Sequence, residues 1–104
     1  MYYLGMNFEY DEKKSQVNQK KHGISFEEAK KLWMVPAVEI QARTEDEPRF
    51  LRIGKLKDKF YSCIFTTRKD VVRLISVRRS REEEEKIYHK EKIENEEPRE
   101  ENQS

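Results

Sequence analysis

Cysteine is nearly absent from this 104-residue chain: Cys63 stands alone, so no internal disulfide can form and no cysteine cluster exists to hold zinc. Only three glycines occur, none grouped into a phosphate-cradling loop, and neither an internal repeat nor a heptad series is present. No apolar run approaches the roughly 20 residues needed to span a bilayer, and the N-terminus lacks the basic-then-apolar order of a signal peptide. These absences predict a reducing, cytoplasmic setting. Cys63 lies in an apolar strand pattern, which reads as a buried structural thiol rather than a nucleophile.

Charge is what the chain has in excess: 41% of its residues are charged against 35% apolar, and the net of +1 conceals an asymmetry. Residues 1–80 carry 17 Lys and Arg against 11 Asp and Glu, while residues 81–104 carry 5 against 10. A basic body is compatible with an anionic partner such as nucleic acid. The acidic end has few apolar positions, so the sequence predicts one domain over residues 1–92 and a disordered tail over 93–104. Met6 offers an alternative start to Met1, which would make residues 1–5 an extension.

Periodicity lays out the elements in the order β-α-α-β-β-β-β-α, an α+β fold with helices on an antiparallel sheet. Asn7 to Tyr10 reads as a short strand. Asp11 caps a polar helix running to about His22, with Val17 as its apolar anchor and Lys13, Lys14, Lys20 and Lys21 on its surface. Gly23 ends it. Ser25 and Glu28 form a capping box for a second helix, whose Phe26, Ala29, Leu32 and Trp33 make one core stripe up to Pro36. From there the period becomes two: strands are predicted over Val38–Ala42, Arg49–Ile53, Phe60–Thr66 and Val71–Val77, joined as a meander by a polar loop at 44–48 and turns at 57–59 and 68–70. Ser80 and Glu83 repeat the capping-box spacing at the head of a last helix.

The join of the last strand and the last helix carries Arg78 and Arg79. Arginine keeps its charge and presents a planar fork of donors, so a doublet here suits a phosphate; the alternative is a solvated pair with little role in packing.

In order and spacing, several segments resemble the BrnT toxins, the ribonuclease halves of bacterial type II toxin-antitoxin pairs: Phe8-Glu9-Tyr10-Asp11 with Lys13, Lys21-His22-Gly23-Ile24-Ser25-Phe26-Glu27-Glu28-Ala29, Glu47 with Arg49-Phe50 and Ile53-Gly54, Phe65-Thr66, and Arg73-Leu74-Ile75-Ser76-Val77-Arg78-Arg79 with Glu84 and Tyr88. The resemblance covers about Phe8 to Tyr88, with departures at Glu12, Val35 and Val77, where the family often has Pro, Asp and Ala.

That resemblance implies a RelE-like fold and an endoribonuclease that needs no metal or cofactor, in which the 2′-OH of RNA attacks the adjacent phosphodiester. Arg78 and Arg79 match the family's arginine pair and would hold the scissile phosphate. Lys20, Lys21 and Arg49 would contact the RNA backbone, and His22 is the natural acid-base candidate unless its ring bonds backbone at the junction of the two helices. Glu47 joins the catalytic candidates, with Tyr61 and Glu84 as further ones. Thr66 and Thr67 read as strand and turn, and His89 as solvated. The implied partner is a BrnA-like ribbon-helix-helix antitoxin, through which alone the pair would engage DNA, with no membrane involved. The opposing reading is a non-catalytic RNA- or partner-binding module, a degenerate toxin.

Overall fold

Helix α1 (Glu12–His22) begins where the sequence places it: the Asp11 carboxylate accepts from the backbone N–H of Lys13 at 2.8 Å and Lys14 at 3.3 Å. The computed structural model describes residues 6–42 and 46–103, with side chains described as far as Lys92. The question of an extension at residues 1–5 and the start of the 44–48 loop, residues 44 and 45, lie outside the described residues. Gly23 ends α1 at φ 74°, and a Cβ there would meet nothing within 4 Å, so the left-handed backbone rather than lack of space calls for glycine.

α1 is not anchored by Val17, which is 55% exposed. Its buried residues are polar instead. Ser15 Oγ accepts from the Phe26 N–H at 2.9 Å, and the Asn18 carboxamide donates to Ile24 O (2.9 Å) and Val77 O (2.7 Å) while accepting from Val77 N (3.3 Å). A hydrophobicity pattern cannot register an anchor made of hydrogen bonds.

The Ser25–Glu28 capping box forms as read, with both reciprocal bonds present. Helix α2 (Phe26–Ala29) then tightens into a 3₁₀ segment (Lys30–Met34) instead of continuing as one α-helix. The predicted stripe is nevertheless buried in full.

The five strands are β1 (Asn7–Glu9), β2 (Ala37–Ala42), β3 (Arg49–Leu56), β4 (Lys59–Arg68) and β5 (Val71–Arg79), in sheet order β1-β5-β4-β3-β2. Strands β2 to β5 make the expected antiparallel meander. The sheet as a whole is mixed, because β1 pairs with β5 in parallel. Three helical segments and strands β2 to β4 separate β1 from β5, so no tight hairpin forces them antiparallel.

β3 passes through Gly54 rather than stopping there. A Cβ at Gly54 would come within 2.9 Å of Leu32 Cδ2, so the missing side chain lets the 3₁₀ segment press onto the sheet. Trp33 is core, edge-on to Phe8 (5.3 Å) and Phe65 (5.0 Å), with the Arg52 guanidinium 5.0 Å from its ring. Cys63 is fully buried, and burial pushes its thiol pKa up.

Helix α3 (Glu82–Gln103) packs over β2 and β3 on the face opposite α1 and α2. The predicted box at Ser80 and Glu83 is displaced by one residue. The Arg81 carbonyl accepts the first helical bond, from Glu85 N, and Glu84 rather than Glu83 returns a carboxylate to the Arg81 N–H at 2.9 Å. The helical backbone continues to Gln103, into the segment expected to be a separate tail.

Candidate nucleic-acid site

Both arginines of the doublet lie inside β5, not beyond it, so their side chains leave the sheet on opposite faces. A bulge decides which goes where: Ile64 pairs with Ser76 and Phe65 with Leu74, leaving Ile75 as an extra residue. Val72, Leu74 and Val77 thereby all face the core. Arg78 turns to the α3 face, while Arg79, paired with Tyr61, turns to the α1/α2 face.

Arg78 is not a solvated cation. Its Nη1 and Nη2 donate to Glu84 Oε1 and Oε2 at 2.9 and 2.8 Å, and Nη1 also reaches the Arg79 carbonyl at 3.2 Å. Glu84 is 7% exposed and accepts two further bonds, from Ser62 Oγ (2.8 Å) and Arg81 N. The Arg78 guanidinium, with the Arg81 and Ser62 donors behind it, holds the Glu84 carboxyl down to about 2 against a usual value near 4.5, despite the opposing effect of burial. The pairing in turn raises the Arg78 pKa. Arg79, by contrast, is exposed and makes no side-chain hydrogen bond or ion pair among the described residues.

His22, Lys20 and Lys21 form the last turn of α1, where positive charge complements the helix dipole, and all three are exposed. The backbone-bonding role offered to His22 by the sequence is taken by Asn18, one turn earlier. His22 and Lys21 instead line an open groove with Lys13, Lys14, Val17 and the β5 residues Ile75 and Ser76. Immediately after His22, Gly23 and Ile24 line a second hollow with Tyr61, the partner of Arg79. The end of α1 and the end of β5 therefore meet at one edge of the molecule.

Glu47 and Arg49 do not join them. Glu47 sits 3.3 Å from Arg68, which pairs with Val71 at the start of β5, and Arg49 pairs with Ala42 at the start of β3. The eight steps from Val71 to Arg79 span about 26 Å at ~3.3 Å each, less what the bulge takes up, so Glu47 lies out of reach of a phosphate at the Arg79 end; Arg49, next to the Phe50 that pairs with Phe65, lies toward the same far end of the sheet. Thr66 is structural, donating to Pro48 O at 2.6 Å. His89 is exposed, with its ring edge-on to Phe60 at 5.2 Å. Among the described residues, no group of three or more His, Cys, Asp and Glu converges to hold a metal ion, and no helix is long and apolar enough to cross a membrane.

The family described as ribonuclease toxin, BrnT, of type II toxin-antitoxin system matches residues 10–84. The chain belongs to the BrnT family. The match runs from the residue before the α1 cap to the carboxylate that pins Arg78, so it takes in α1, α2 and β2 to β5 with His22, Glu47, Tyr61, Arg78 and Arg79, and leaves out β1 and His89. Comparison with curated proteins finds no match. As a BrnT-family member the chain is a ribonuclease toxin of the type II toxin-antitoxin class, which implies RNA as substrate and an antitoxin as partner.

Proposed function

We propose that this BrnT toxin is a metal-independent, cytoplasmic endoribonuclease of RelE-like fold, neutralised by a BrnA-type ribbon-helix-helix antitoxin that also carries the pair to DNA. The observation supporting the catalytic part is that α1 ends, through His22, Gly23 and Ile24, at a hollow lined by Tyr61, the β4 partner of the exposed Arg79.

The reaction forms a bond from the 2′ oxygen to phosphorus and breaks the bond from phosphorus to the 5′ oxygen, leaving a 2′,3′-cyclic phosphate and a 5′-OH. The proton of the 2′-OH must go to a base, and the departing oxygen must receive one from an acid. The two oxygens lie on opposite sides of phosphorus, so one imidazole serves one of them, and His22 takes that work while water serves the other. The Arg79 fork stabilises the charge that builds on the phosphate oxygens, and Lys20 and Lys21 hold the flanking backbone. Arg78 acts indirectly. Bound to Glu84 on one side and to the Arg79 carbonyl on the other, it fixes the backbone from which Arg79 projects.

Purified protein incubated with RNA in EDTA is expected to yield fragments ending in 2′,3′-cyclic phosphate. Arg79→Ala should slow cleavage by roughly 10- to 1,000-fold with little change in stability, and Lys at this position should rescue incompletely because it lacks the fork. One observation favours the competing reading of a non-catalytic binding module: Glu84 already neutralises half of the arginine doublet. Intact RNA over a wide range of protein concentration would establish that reading instead.

A further inference from the structure

We infer that the hollow beside Arg79 is a nucleobase subsite, with the Tyr61 ring as its stacking platform; this rests on the proposal that the chain engages RNA. The hollow, about 430 Å³, lies between the α1–α2 junction and the β3–β4 turn. Buried Ile24 and half-buried Leu56 and Tyr61 supply apolar surface, while Lys31, Lys57 and Lys59 stand exposed around it. Of the two carboxylates at the rim, that of Glu28 is turned to the Ser25 N–H at 3.2 Å. An apolar wall under a cationic rim matches a ligand with a flat apolar body and a negative edge.

The register makes that ligand a nucleotide. Tyr61 pairs directly with Arg79, and residues facing each other on one sheet face hold their Cβ atoms ~4.5–5.5 Å apart. A base stacked on Tyr61 therefore places its own phosphate within reach of the Arg79 guanidinium. On its other neighbour Tyr61 faces Gly54, where the place of a β3 side chain is taken by Leu32 of the 3₁₀ segment, so that flank of Tyr61 is backed by the core. His22 directly precedes the Gly23 that lines the hollow. The His22 side chain lines the neighbouring groove, so a nucleotide held here would enter the site next to the proposed proton-transfer group, and its base would set where the RNA is cut.

The test uses 2′-O-methyl RNA tetranucleotides, which cannot be cleaved, with the same oligomer carrying an abasic residue as control. ¹H–¹⁵N spectra of the full chain should show saturable shifts at Gly23, Ile24 and Leu56–Tyr61 with the base-bearing oligomers, and much smaller ones with the abasic control. Tyr61→Leu, which fills the space without a π face, should weaken base-dependent binding roughly 5- to 100-fold, whereas Tyr61→Phe should retain it. Equal affinity for base-bearing and abasic oligomers, shifts confined to Lys20–His22 and Arg79, or no binding would each overturn the subsite. Failure of the nuclease reading looks different: base-dependent binding at the hollow would persist while unmodified RNA stayed uncut.

Discussion

Glu84→Gln tests the most consequential contact in the molecule. The side chain keeps its size but loses its charge, and its new NH₂ group competes for the space in front of the Arg78 donors. Four hydrogen bonds converge on this carboxylate, two of them from one guanidinium. The drop from about 4.5 to about 2 in its pKa corresponds to about 3 kcal/mol of folding stability at neutral pH. Removing one partner of a buried pair costs a similar amount, because the other charge is left behind. In a domain of this size the expected fall in Tm is ~10–20 °C.

The pH dependence carries the sharper signature. A lowered carboxylate pKa contributes stability that is complete above the unfolded value near 4.5 and is lost as pH falls through the folded value near 2. Urea unfolding should thus show a constant gap between parent and variant from pH 7 to 5 that closes between 4.5 and 2. Arg78→Ala should cost about as much as Glu84→Gln, and the double variant little more than either. Equal stability of parent and Glu84→Gln at pH 7, or a gap unchanged at pH 2, would refute the argument that this carboxylate pins β5 to α3.

Asn18→Ala strips partners from Val77 N, Val77 O and Ile24 O, and should cost about 2–4 kcal/mol in urea unfolding while freeing α1 to exchange its amide protons faster. Lys69 stands at φ 55° in the β4–β5 turn, so Lys69→Gly should raise stability by about 0.5–1 kcal/mol, read as a higher urea midpoint. Truncation after Lys92 should leave Tm within about 3 °C of the parent by differential scanning calorimetry, since the acidic end has little apolar surface to bury.

The elements were legible where the sequence states local physics plainly. Asp11, the Ser25–Glu28 box and Gly23 fix helix ends through bonds within a few residues, and the core stripe from Phe26 to Trp33 follows helical spacing. What escaped the reading depends on contacts far along the chain. Asn18 meets Val77 across 59 positions, and no local pattern distinguishes it from a surface asparagine. The parallel placement of β1 is likewise a tertiary outcome. At the site, the doublet was visible as two charges, but its division between two faces was not, because the extra residue at Ile75 interrupts the alternation on which facing is judged. Glu84 had one available clue: it is the third residue after Arg81, the spacing at which a carboxylate reaches back to an N-cap.

The bulge at Ile75 also bears on how this site can change over evolutionary time. Were it ironed flat, everything after Leu74 would turn over: Arg78 would enter the hollow beside Tyr61 and Arg79 would meet Glu84. Two consecutive arginines make the charge pattern nearly indifferent to that exchange. The apolar interior is not indifferent, since the same turn would expel Val77 and bring Ser76 inward. Excision of Ile75, on the other hand, would remove the bulge and preserve every facing beyond it. Loss of Ile75 from this chain would therefore keep its facings, while the constraint against slippage falls on Val77, buried in the core.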